Sequence, residues 1–138
     1  MMILQQTIQL QEYPKGIHLI TQEIIRQIEK FPQKGLMHLF LQHTSAALAI
    51  NENYDPDVRH DMEVLYERLA PYMLPAYRHT LEGPDDMPAH FKTVVTGSSL
   101  SIPVMNGKPA LGTWQGIYLC EFRANAGRRN LICTLIGE

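Results

Sequence analysis

The sequence has no large excess of either charge. Twelve lysines and arginines face 14 aspartates and glutamates, for a formal net charge of −2 and a pI near 6.3. A nucleic-acid surface needs a basic excess, and the one compact basic pair, Arg128–Arg129, falls in an expected turn. Cysteine is scarce: Cys120 and Cys133 are alone, and no Cys-x-x-Cys metal pair exists. Each lies in an apolar, strand-like run and reads as a reduced core residue; a disulfide would require their strands to be neighbours. Met1–Leu10 lacks the basic start of a secretory signal and alternates with glutamines. The longest apolar run, Ala46–Ile50, is far too short for a membrane span. The expected setting is therefore cytoplasmic, without membrane or nucleic-acid partners. Internal repeats, low-complexity tracts, a Walker motif and a Gly-x-Ser-x-Gly nucleophile elbow are all missing.

What is present suits one domain over residues 1–138. With 45% hydrophobic and 19% charged residues, a core can form without a disulfide or metal staple. Met2–Leu10 reads as a strand and Ile17–Ile20 as a shorter one. Thr21 is a candidate N-cap for a helix carrying Ile24, Ile25 and Ile28, which Pro32 ends. Leu36–Leu41 is apolar on both faces, as in an interior strand, and Ala46–Ile50 follows. Asp55-Pro56 is a strong helix start, and Val58, Met62, Leu65 and Leu69 form a helical stripe behind it. Residues 71–90 read as a long polar loop, and Phe91–Thr96 as a strand. Asn106-Gly107 marks a hairpin. Gln115–Arg123 and Asn130–Ile136 close the chain as two long strands. The expected fold is α+β and β-sandwich-like: two mainly antiparallel sheets with two flanking helices.

The residues able to do chemistry collect at loop edges. His18, His38 and His60 sit inside patterned segments and read as surface or structural histidines. His43 ends an apolar strand, while His79 and His90 bracket Glu82-Gly83-Pro84-Asp85-Asp86. Neutral imidazoles with a carboxylate suit a divalent ion, but the spacings match no short metal motif, and loop structure is the competing reading. Asp85 and Asp86 are candidate ligands or general bases; the alternative is an Asp bonding its own loop backbone. Gly97-Ser98-Ser99 and Gly112-Thr113-Trp114-Gln115 could bring backbone amides to a phosphate, or be plain turns. Trp114 could stack on a heterocycle, and core filling is the reading preferred for a lone Trp. Arg123 is a candidate for phosphate or carboxylate binding, with a surface ion pair as its alternative.

Three ordered strings carry a resemblance over almost the whole chain. These are His43-Thr44-Ser45-Ala46 with Ile50-Asn51-Glu52-Asn53 and Asp55-Pro56; Glu82-Gly83-Pro84-Asp85-Asp86-Met87-Pro88-Ala89-His90; and Ser99–Pro103 continuing to Leu111-Gly112-Thr113-Trp114-Gln115-Gly116-Ile117. They resemble the signatures of the YjbQ family, long labelled UPF0047. The resemblance implies a homotrimer with its site near subunit interfaces. It also implies secondary thiamine-phosphate synthase activity, which joins an aminopyrimidine methyl diphosphate to a thiazole phosphate and releases pyrophosphate. On that reading a divalent ion, zinc or magnesium, is held by His43, His79 and His90 and binds the diphosphate. Arg123 assists, Asp85 is a further ligand or orients an imidazole, and His90 takes part in catalysis. Substrate contacts are expected from Thr44, Ser45, Asn51, Ser98 and Ser99, and from Thr113, Trp114 and Gln115. Two other functions fit the same polar cluster: a metal-dependent hydrolase or lyase on a small phosphorylated molecule, and a non-catalytic trimeric binding module.

Overall fold

A computed structural model describes residues 1–138. The strands are β1 (Met2–Gln9), β2 (Gly16–Leu19), β3 (Lys34–Leu41), β4 (Ala46–Glu52), β5 (Ser99–Met105), β6 (Lys108–Pro109), β7 (Gln115–Glu121) and β8 (Asn130–Gly137). The helices are α1 (Thr21–Gln27), α2 (Pro56–Leu69) and α3 (Asp86–Thr96). A five-stranded sheet runs β1-β8-β3-β5-β6 and a three-stranded sheet β2-β7-β4, with every pairing antiparallel. The expected α+β, two-sheet architecture is what the chain adopts, with three helices rather than two.

Strand alternation sets the layers. In β7, Ile117 and Leu119 face the large sheet and enter the main core with Ile8, Met37, Leu39, Leu131 and Leu135. Tyr118, Cys120 and Phe122 point the other way, into a second cluster with Ile17, Ala47 and Ala89. Helices α2 and α3 cover that second face, and Ile24 of α1 joins the main core. Cys120 and Cys133 therefore belong to different sheets and are free, buried thiols.

Several local expectations shift. Asp55 caps α2 by accepting from the Asp57 amide at 2.9 Å, with Pro56 in the first turn. Yet Leu65 and Leu69 of the expected stripe are 62% and 50% exposed, while Met62 and Tyr66 pack on the second cluster. The helix is thus rotated so that an aromatic ring, edge-on to Phe122 at 4.9 Å, fills the contact. Thr21 is the first helical residue and not the cap; its hydroxyl accepts from the Ile117 amide and ties α1 to β7. The Asn106-Gly107 hairpin forms with φ of +55° and +77°, the values of a type I′ turn. Its second strand is only two residues long, because Pro109 has no amide with which to continue the ladder.

The larger correction is α3. Phe91–Thr96 is helix, not strand, and the helix begins at Asp86 inside the expected loop. Thr93-Val94-Val95-Thr96 has the β-branched composition of a strand. Burial decides otherwise: Asp86, Ala89 and Thr93 share one covered face, while Val94 and Val95 are 82% and 55% exposed. Pro88 lies in the first turn, where its missing amide costs no helical bond.

The large sheet has one point of close approach. Gly35 of β3 pairs with Gly137 of β8, and a Cβ on Gly35 would collide with the Ile136 carbonyl. Gly35→Ala is expected to destabilise the protein by about 2–3 kcal/mol, the usual cost of overpacking a buried contact. Thermal melting checks it, and an unchanged midpoint would mean that the two strands separate without cost.

Candidate functional site

Helix geometry builds the centre of the site. Asp86 and His90 are four residues apart on α3, so both side chains rise from the same face, one turn apart. Nε2 of His90 lies 3.0 Å from Oδ2 of Asp86. His79, from the loop before the helix, brings its Nε2 to 2.6 Å from the same oxygen. One ligand atom from each of the three lies within 4.8 Å of the others. Asp86 is 1% exposed, whereas the side chains of His79 and His90 keep 41% and 31% of their surface in solvent. The group has a buried floor and an open top.

The proton on His90 is fixed by its other nitrogen. Nδ1 lies 2.8 Å from the Thr44 carbonyl oxygen, which can only accept, so Nδ1 carries the hydrogen. An imidazole with only that proton would direct a bare Nε2 lone pair at a carboxylate oxygen. That contact is repulsive until a proton or a cation sits between the two atoms. A ring held by a backbone carbonyl on its far side is the usual arrangement of a metal-ligating histidine. His79, Asp86 and His90 could therefore hold one divalent ion.

Arg123, just beyond β7, braces the carboxylates. Its Nε donates to Oδ2 of Asp85 at 3.0 Å, its Nη1 to Oδ1 of Asp86, and its Nη2 to the Glu82 carbonyl at 3.0 Å. Asp85 also accepts from the Ala124 amide at 3.1 Å. Burial pushes both carboxyls up. The Ala124 amide and Arg123 outweigh it at Asp85; the His79 hydrogen bond and the charges of His90 and Arg123 outweigh it at Asp86. Both end below the usual carboxylate range. Asp85 and Arg123 thus face each other and the loop, and Asp86 is the carboxylate presented to the two histidines.

The other expected site residues divide into three groups. His43, Thr44 and Ser98 line one groove of about 510 Å³ with His90, Thr93, Val94 and Gly97. His43 is outside the three-residue cluster, and its Nε2 already accepts from the Asn130 amide at 2.8 Å. Ser45 is buried, and its hydroxyl accepts from Arg129 at 2.9 Å. Ser99 begins β5, exposed and outside the groove lining. Asn51, Thr113, Trp114 and Gln115 lie at the opposite end of the small sheet, where Asn51 pairs with Gly116. Seven strand residues, roughly 20 Å, separate them from Arg123. Trp114 is not core: it is 62% exposed, edge-on to Tyr54 at 5.8 Å.

Two contributors escaped sequence reasoning. Asp86 was grouped with Asp85 as one of two loop acids, although its four-residue spacing to His90 is what a shared helical face requires. Arg129, read as half of a basic pair in a turn, is 5% exposed and bonded through Nε and Nη2 to the two oxygens of buried Glu121. No local pattern distinguishes it from Arg128.

Comparison with known proteins decides the family. The family model described as UPF0047 protein YjbQ-like matches residues 6–138. The chain belongs to the YjbQ family. The YjbQ protein of Salmonella typhimurium is 52% identical over 136 residues, covering 97% of this chain and 98% of its own. The YjbQ-family protein YugU of Bacillus subtilis is 41% identical over 105 residues, 72% of this chain and 77% of its own. Among solved structures, a conserved hypothetical protein of Thermus thermophilus superposes with a TM-score of 0.81 at 31% identity, over 92% of this chain and 97% of that one. A protein of unknown function from Sulfolobus solfataricus superposes with a TM-score of 0.83 at 22% identity over 99% of each chain, a likeness of fold. No helix of the chain is long and apolar enough to cross a membrane.

Proposed function

We propose that the chain is a metal-dependent enzyme acting on a small phosphorylated substrate, with thiamine-phosphate synthesis as its reaction. In that reaction the bond from the pyrimidine methyl carbon to the diphosphate oxygen breaks, its electron pair leaving with pyrophosphate. The thiazole nitrogen then supplies the pair for the new carbon–nitrogen bond. The observation that carries the reading is the Nδ1–H of His90, held by the Thr44 carbonyl so that its Nε2 converges with that of His79 on one oxygen of Asp86. Two imidazoles and one carboxylate suit zinc better than magnesium, which prefers all-oxygen surroundings. Bound there, a divalent ion supplies charge neutralisation for the departing diphosphate.

The chain's own residues do the rest. Arg123 holds Asp86 through one oxygen and leaves the other directed at the histidines. Asp85 anchors Arg123 and the turn after β7. Thr44 and Ser98 offer hydroxyls along the groove beside His90. A second reading, a hydrolase or lyase on a phosphorylated molecule, draws support from the exposure of His79, which leaves room for water at the same group.

Assembly as a homotrimer, in the cytoplasm, belongs to the same proposal. It is supported by the outer face of the large sheet, where Ile3, Leu36, Phe40 and Ile136 are 39–65% exposed with no element over them.

The test is formation of thiamine phosphate by purified protein with zinc, with magnesium and with chelator, beside His90→Ala. Product that requires metal and vanishes in a folded His90→Ala is the expected result. Product absent from the unmodified protein sinks the transferase reading. Release of inorganic phosphate from other phosphorylated compounds would then favour the hydrolase. Loss of assembly in His90→Ala without any turnover to lose would favour a binding module.

A further inference from the structure

His43 lines the same groove as His90 and is not one of the residues gathered on Asp86. Its surroundings settle its proton. The Asn130 backbone amide can only donate, and it donates to Nε2 of His43 at 2.8 Å. The hydrogen of the ring is therefore on Nδ1. Nδ1 has no hydrogen-bond partner in the protein, yet it is not among the buried side-chain atoms left without one, a class that contains only Nη1 of Arg59. It therefore reaches solvent, on a side chain that lines the groove.

The donor is held in place from behind. Asn130 begins β8, and the preceding Arg129 is locked to Glu121 and to Ser45. Burial, and then the charge of Arg129, keep the imidazole below the usual histidine value, with Glu121 offsetting part of this. The ring thus presents an N–H at neutral pH without becoming a cation. The groove wall contains no aspartate or glutamate, and it adds the hydroxyls of Thr44 and Ser98. The Thr93 hydroxyl is already used, donating to the Ala89 carbonyl at 2.9 Å. A wall with three free donors and no carboxylate matches an oxyanion, and three terminal oxygens match it better than the two of a carboxylate.

We infer that His43 is a fixed hydrogen-bond donor to a phosphoryl oxygen, through Nδ1, in a groove that seats the phosphoryl end of the substrate beside His90. This rests on the groove being the substrate side of the metal site proposed above. It gives His43 a binding role and removes it from the ligand set, since neither of its nitrogens has a free lone pair.

Two substitutions separate the two nitrogens. His43→Gln keeps an acceptor for the Asn130 amide and loses the Nδ1 donor, whereas His43→Asn returns an N–H at the Nδ1 position. The probe is phenylphosphonate, titrated calorimetrically into zinc-loaded and metal-free protein, with benzoate as the carboxylate control. Zinc affinity is measured separately. His43→Gln is expected to bind phenylphosphonate about ten- to hundredfold more weakly, the loss of one hydrogen bond to a charged group. His43→Asn is expected to recover to within about fivefold of the unmodified protein, while zinc affinity stays unchanged in both. Nitrogen-15 spectra of the histidine rings should show His43 as the Nδ1–H tautomer. Phenylphosphonate binding that is absent in the unmodified protein, or unchanged in His43→Gln, overturns the inference, as does an Nε2–H tautomer. Benzoate bound as tightly as phenylphosphonate overturns the phosphoryl assignment. Failure of zinc to bind while the phenylphosphonate pattern holds would instead sink the metal reading and leave the donor standing.

Discussion

Asp86→Asn is expected to lower zinc affinity by more than about a hundredfold and to leave the chain folded. Loss of a group that merely orients a ligand costs ten- to hundredfold in metal affinity, and Asp86 is closer than that: its Oδ2 touches both imidazoles. The amide preserves volume and one oxygen, and Arg123 keeps its bond to Asp85, so no unpaired buried charge is created. Competition with a chromophoric chelator measures the affinity, and a thermal melt checks the fold. Equal affinity in the variant would remove Asp86 from the ligand set. The same substitution changes the acid response. A carboxyl held below its usual range adds stability above the unfolded pKa of about 3.9, and this stability disappears as pH falls through the folded value. Stability of the unmodified protein should fall more steeply below about pH 4 than that of Asp86→Asn.

The architecture could be read from the sequence wherever local and long-range demands agree. Asn106-Gly107 needs only backbone freedom, and Asp55-Pro56 needs only a cap and a tolerated proline. The alternation in β7 carries both cores. Helix α3 is where the demands conflict. Its β-branched run favours a strand, and the face that makes it a helix is polar: Asp86, His90 and buried Thr93 take positions usually read from leucines. Placing residues 86–90 in a loop concealed the spacing that joins Asp86 to His90. His43 illustrates a second limit. Its residue type allowed metal binding, but its role depends on an amide 87 residues away in sequence, at the start of β8. The string around Thr113-Trp114-Gln115 illustrates a third. Its likeness to a family signature gave no sense of where in space it lies, and the antiparallel register of β4 and β7 carries it to the far end of the sheet.

Breaking the Arg129–Glu121 pair is expected to have the largest effect on stability. Arg129 is 5% and Glu121 1% exposed, and two bonds of 2.7 Å join them. Arg129→Met leaves a buried carboxylate with only the Arg123 amide, at 3.1 Å, as partner, and strips Nη2 from the hydroxyl and carbonyl of Ser45. Such a half-broken pair costs about 3–5 kcal/mol, or roughly 10–20 °C of melting temperature for a domain of this size. Glu121→Met with Arg129→Met removes both charges and should recover a large part of that loss, because desolvation is then no longer borne by a lone ion. A double-mutant cycle separates the pair energy from packing. If Arg129→Met alone melts within about 1 °C of the unmodified protein, the pair is solvated in solution and the site has no rigid base there. The cycle also reaches the site itself. Arg129 fixes the segment that presents the Asn130 amide to His43, so the double variant can be well folded and still bind phenylphosphonate less tightly. That result would show that the buried ion pair serves the orientation of one imidazole as well as the stability of the sandwich.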